Sequence, residues 1–230
     1  MRKPSAKFEY KTFSLGEKLT EEQKEYFKKY GVIQFKKFIE PKTAELFISE
    51  LAKIEKQWLA EGIEKVKGIP LKFGKDHEGN PMIQRMCFTN QFSPVLAELI
   101  RDPRLQLLIE LLGPYEGRIS EDEKDGLVFN HYINQPNSKF SQMGWHTDSP
   151  RDLFLGQKIL PMLNVGIHLD NCPSSNGGLR VLPGTHTQGV LKLLFGKKQF
   201  IDHKPDPREV AFEIEPVSYT HLTLPTKRIV

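Results

Sequence analysis

Chemistry is densest at Met143-Gly144-Trp145-His146-Thr147-Asp148-Ser149. A His and an Asp two positions apart on a strand project to the same face, because strand side chains alternate with period two. His146 and Asp148 then offer one imidazole nitrogen and one carboxylate oxygen to a single metal. These are two of the three donors of a 2-His-1-carboxylate facial triad, the set that suits non-haem Fe(II) and leaves coordination positions open. Such a pair recurs by chance, so its weight comes from the elements around it.

Those elements change character along the chain. Thr20-Glu21-Glu22-Gln23 is a capping-box pattern and Gly31 suits a helix stop, which predicts a helix over 21–30. A strand over 32–38 follows. Pro41 starts a longer helix with Leu46, Phe47, Leu51, Ile54 and Trp58 on its apolar side, ended by Gly62. Residues 64–80 read as loop or short strands. Two helices, 94–101 and 103–112, stop at Gly113-Pro114. The pattern then turns to short strands at 117–119, 127–133, 143–146, 162–169 and 178–182, with a long insertion at 190–207. Helices first and strands after imply an α+β fold with a β-sandwich or barrel core. Periodicity does not choose among such cores.

Composition bounds the function. The 230 residues suit one domain of ordinary size, 38% hydrophobic and 10% aromatic. No apolar run reaches membrane-span length and no signal peptide is visible, so no membrane partner is expected. Cys87 and Cys172 lie far apart, outside any Cys-x-x-Cys spacing, which fits a reduced, cytoplasmic setting. A net charge of +4 without aromatics interleaved among basic runs argues against nucleic acid. A small-molecule substrate is the partner expected, and oligomeric state is not legible.

Downstream of His146 the chain reads Asn176-Gly177-Gly178-Leu179-Arg180-Val181-Leu182-Pro183-Gly184-Thr185-His186. This resembles a stretch of the phytanoyl-CoA dioxygenase family. Asn164 to Asn171 is similar to that family's strand ending in an acidic pair, Asn130 to Pro136 to the strand before its metal motif, and Leu19 to Ile33 to its opening helix, glycine and strand. The likeness spans residues 19–216. It implies a double-stranded β-helix (a cupin-like jelly roll) with N-terminal and flanking helices outside. It also implies an Fe(II)/2-oxoglutarate-dependent dioxygenase that consumes O2, forms succinate and CO2, and hydroxylates a small organic substrate. His146 and Asp148 are the expected metal ligands and catalytic centre. Arg85 stands where relatives often place a basic residue near the 2-oxoglutarate carboxylates; an exposed Arg on an amphipathic strand is the alternative. Tyr132 and Thr147 are expected to line the cosubstrate pocket. His186 is expected to be structural, and Arg180 to form a salt bridge. His168 shares strand parity with Asn164 and Gly166, so all three are expected to face the barrel interior. Many relatives carry Trp where Gly166 stands. Asp148 argues against the halogenases of the superfamily, which carry a small residue there. A non-redox cupin-type binding module is the alternative function.

The tail reads differently. Val217 to Thr226 resembles a translated transposase mosaic end with sequencing adapter, so residues 217–230 are expected to be artefactual and 1–18 an N-terminal extension. The resemblance implies a distal metal His and a 2-oxoglutarate-binding Arg beyond Pro216. On that reading His221 is not a ligand, and the chain as written has no 2-oxoglutarate turnover.

Overall fold

Thr20 and Gln23 close the first helix as the pattern predicts. The computed structural model of the chain describes residues 8–123, 125–131, 145–146, 162–170, 179–187, 204 and 206–212, with the backbone of 220–223. Gln23 N–H donates to Thr20 Oγ1 at 3.2 Å and Thr20 N–H donates to Gln23 Oε1 at 2.9 Å, a reciprocal capping box. Helix α1 runs Glu21–Tyr30 and ends on Gly31 at φ 71°, with Gly31 N–H donating to Phe27 O at 2.7 Å. The chain divides into two compact units, one of residues 1–38, 110–115 and 143–230, the other of 39–109 and 116–142.

The first unit holds a four-stranded sheet of order β1-β2-β11-β8. Its strands are β1 (Thr12–Phe13), β2 (Val32–Phe35), β8 (Asn164–Ile167) and β11 (Thr220–Thr223). β1 runs parallel to β2, and β11 lies antiparallel to both β2 and β8. Register sets Ile33 and Val165 opposite position 222, and Gln34 and Gly166 opposite position 221. A separate pair joins β9 (Arg180–Val181) to β10 (Val210–Ala211). Its Arg180 forms the expected salt bridge, to Glu209 at 2.8 Å. Phe212 follows β10, buried, with its ring centroid 5.3 Å from Tyr10 and 6.5 Å from Phe8. Residues of the expected N-terminal extension therefore supply both a strand and aromatic rings that pack against the buried Phe212.

The second unit is built on α2 (Pro41–Glu61), which buries Ala44, Phe47, Leu51, Ile54 and Trp58. That stripe steps by three and four residues. Leu46, expected on it, sits one residue from Phe47, about 100° around the helix, and is 46% exposed. Two side-chain bonds fasten the helix: Ile83 N–H donates to Glu55 Oε1 at 2.6 Å, and Ser93 Oγ–H donates to Glu50 Oε2 at 2.7 Å. The sheet beside it pairs β5 (Lys72–Lys75), β6 (Pro81–Met86) and β7 (Phe129–Asn130), and a small hairpin pairs β3 (Lys65–Val66) with β4 (Ile69–Pro70). Helices α3 (Pro94–Ile100) and α4 (Pro103–Leu108) follow. The last turn of the helix expected over 103–112 tightens to a 3-10 turn at Ile109–Leu112. Residues 117–119 form no strand, and Arg118 is instead ion-paired with Glu123 across a loop. The mixture of helices and small sheets is α+β. Among the described residues no helix is long and apolar enough to cross a membrane.

The end of α1 generates a sharp test. A Cβ on Gly31 would lie 2.2 Å from His186 Nδ1, whereas one on Gly62, also left-handed at φ 66°, meets nothing within 4 Å. Gly62→Ala therefore loses only the left-handed cost of about 1–2 kcal/mol. Gly31→Ala loses that and the displacement of a packed ring, an additional ~1–3 kcal/mol. Urea unfolding of the two variants checks the ordering.

Candidate metal centre

Trp145 and His146 lie outside any described strand, and His146 is exposed. The strand expected over 143–146 is thus not found at its described end. Trp145 Nε1–H donates instead to Lys204 O at 3.0 Å. Asp148, Thr147 and Tyr132 fall outside the described residues, so the same-face pairing of His146 and Asp148 rests on sequence. Among the described residues no group of three His, Cys, Asp or Glu side chains converges to hold a metal.

Arg85 has a definite place. It lies on β6 with its Nη2 2.7 Å from Asp125 Oδ2, and both side chains are largely covered, 23% and 15% exposed. It is neither a solvated strand cation nor a bare anion receptor. Asp125 supplies the carboxylate that the sequence reading assigns to 2-oxoglutarate. A mutual charge pair offsets the cost of covering either group alone. The partner was missed because nothing local links residues 40 apart in sequence. The loop that carries it is tightly tied. Phe88 N–H donates to Asp125 O at 2.8 Å, Thr89 Oγ1–H to Leu127 O at 2.9 Å and Asn90 Nδ2–H to Glu121 O at 3.0 Å. Phe88 and Asp125 hold left-handed backbones, φ 56° and 75°, uncommon for such residues. Cys87 beside them is fully buried, and burial pushes its thiol pKa up, which makes it a poor nucleophile.

His186 takes the structural role expected of it. It is buried, and its Nε2 lies 3.1 Å from Lys28 O; a carbonyl only accepts, so Nε2 carries the hydrogen. Gly184 N–H donates to Tyr30 O at 2.7 Å. The Pro183-Gly184-Thr185-His186 turn thus satisfies two carbonyls of the last turn of α1, groups that a helix end leaves unpartnered. His168 is half-buried, and burial holds its pKa below the usual histidine value. Its Nε2 lies 3.8 Å from where a Cβ on Gly166 would stand. Position 221 is set by its backbone opposite both Gly166 and Gln34. Gln34, which the sequence reading did not single out, is fully buried, and its Oε1 accepts from Tyr10 Oη–H at 2.6 Å. A Gln inside the run Val32-Ile33-Gln34-Phe35 was the available signal.

A sequence model of the family described as Phytanoyl-CoA dioxygenase (PhyH) matches residues 27–218. The chain belongs to the phytanoyl-CoA dioxygenase family. The match takes in α1 from Phe27, the His146–Asp148 pair and the Pro183–His186 turn. The family lies within the Fe(II)/2-oxoglutarate-type oxygenase superfamily, which makes an oxygenase the enzyme class of this chain. No curated protein matches the chain.

The Arg85–Asp125 pair gives the prediction here. Arg85→Gln and Asp125→Asn each remove one partner of a largely covered charge pair and should each cost roughly 1–3 kcal/mol. The double variant should lose no more than the worse single, since the second change removes an already orphaned group. A double-mutant cycle in urea reads this. Additive losses would show that the two residues do not act as a pair.

Proposed function

We propose that this chain is an Fe(II)/2-oxoglutarate-dependent dioxygenase with a jelly-roll core, hydroxylating a small organic substrate. The family match over residues 27–218, with His146 and Asp148 inside it, carries the reading. The donor set suits the metal: an imidazole and a carboxylate two residues apart are borderline and hard ligands of the kind Fe(II) takes. His146 is exposed, at the surface rather than in the core.

His146 and Asp148 would hold Fe(II), and Thr147 and Tyr132 would line the cosubstrate side. The bound metal and 2-oxoglutarate supply the oxidising chemistry with O2, leaving succinate and CO2. The chain's own task is to fix the two donors, orient the substrate and keep water out. Arg85 is the weaker part of this assignment, because a cosubstrate carboxylate would have to displace Asp125 from it. Nucleic acid and membrane remain outside the proposed partners, and a cytoplasmic site fits the two isolated cysteines.

The test is anaerobic addition of Fe(II) and 2-oxoglutarate, read by the visible charge-transfer absorption of the chelate. The reading expects absorption in the unaltered chain and its loss in both His146→Ala and Asp148→Ala. Equal absorption in all three would sink the proposed ligands. Succinate is then measured after admission of air. Succinate formation that disappears in His221→Ala would show instead that position 221 supplies a third donor.

A further inference from the structure

Arg85 is matched in charge but not in geometry. A guanidinium carries five N–H donors in a planar fork, and a carboxylate matches that fork through two parallel bonds. Arg85 makes one bond only. Its Nη2 lies 2.7 Å from a single oxygen of Asp125, and among the described residues it has no other hydrogen bond. Yet the side chain is only 23% exposed. Covering a cation with most of its donors unused is costly. None of its remaining nitrogens is sealed from solvent, so a small ligand can still reach them.

The sheet sets further donors beside it. Register places Lys72 of β5 and Asn130 of β7 on either side of Arg85, and residues directly opposed in a ladder share a face. Both flanking residues are exposed. Two cations opposite one another are destabilising by themselves, and an anion at this row relieves that repulsion. The anion present is Asp125, delivered by a loop 40 residues on in sequence. Asp125 reaches Arg85 from a left-handed backbone, φ 75°, with Gly126 next to it at φ 59°. A non-glycine residue in that region is strained, which offsets part of what the charge pair contributes.

We propose that Asp125 is a displaceable latch on Arg85, an internal carboxylate that a small dicarboxylate replaces by offering two oxygens to the guanidinium where Asp125 offers one. This rests on the oxygenase reading for the identity of the incoming group, a carboxylate of 2-oxoglutarate. The exchange is carboxylate for carboxylate, so Arg85 is never left covered without a counter-charge, and Asp125 passes to water. The bidentate fit, with Lys72 and Asn130 alongside, favours the incoming group. Asp125 therefore weakens apparent cosubstrate affinity and sets the concentration at which the guanidinium changes partner.

The test titrates the full chain, without metal, with glutarate and separately with the neutral glutaramide. Glutarate lacks the keto group of 2-oxoglutarate and so reports carboxylate recognition alone. By calorimetry, Asp125→Asn is expected to bind glutarate at least roughly tenfold more tightly than the unaltered chain, the size of one charge-assisted hydrogen bond removed from competition. Arg85→Gln should abolish binding, and glutaramide should not bind. A second readout needs no stable variant at the latch. In the unaltered chain labelled with 13C at the aspartate carboxyls, the Asp125 resonance should shift saturably with glutarate; it is identified by its absence in Asp125→Asn or, should that variant not fold, in Asp125→Glu. Equal glutarate affinity with and without the Asp125 carboxylate would overturn the latch. So would an Asp125 resonance that glutarate does not move, binding that survives Arg85→Gln, or equal binding of glutaramide. Because these titrations need no iron, their failure is separate from loss of the Fe(II)–2-oxoglutarate absorption, which would sink the oxygenase reading.

Discussion

A helix ends with carbonyls that have no partner of their own, and the first unit is organised around how α1 meets that constraint. Gly31 takes the Phe27 carbonyl by adopting a left-handed backbone. Gly184 and His186, far along the chain, take those of Tyr30 and Lys28. The His186 ring fits only because Gly31 has no Cβ. The same segment leads back through β9, which pairs with β10 and so brings Phe212 against Tyr10, whose hydroxyl reaches Gln34 in the central sheet. One capping requirement thus links the helix, the strand pair and the sheet.

The second unit uses different means. α2 buries a regular apolar stripe, and two of its carboxylates reach out to a strand amide and to a serine hydroxyl. Ser93 serves twice, since its Oγ also accepts from Leu96 N–H to cap α3. The Arg85–Asp125 pair then fastens the loop of 121–127 over β6. These are charge-assisted bonds in partly covered places, where they count for more than at an open surface.

What was legible in the sequence was local. Thr20, Gln23, Gly31, Pro41 and Gly62 fix helix boundaries through their own backbone and capping chemistry, and the structure follows them. The Arg180 ion pair and the structural role of His186 also follow the reading. Non-local pairing was not legible. Nothing near Thr12 announces that it lies beside Gln34, and nothing near Arg85 announces Asp125. The strand expected over 32–38 was too long because Lys37 takes a left-handed backbone, φ 53°, which turns the chain before Phe38. Position 221 shows the limit most clearly. The residue pattern of 220–223 suits a strand between β2 and β8 whatever its origin, because any extended segment can satisfy backbone donors and acceptors on both sides. Of the proposed centre, only His146 and Arg85 lie among the described residues, so the metal pair remains a reading of sequence and family.

The central claim is that His146 and Asp148 share one iron. Anomalous diffraction at the iron edge, from crystals of the chain grown with Fe(II) without oxygen, tests it most directly. The account predicts one anomalous peak within bonding distance of both a His146 ring nitrogen and an Asp148 carboxylate oxygen. A peak held by other residues, or iron touching His146 with Asp148 turned away, would contradict it.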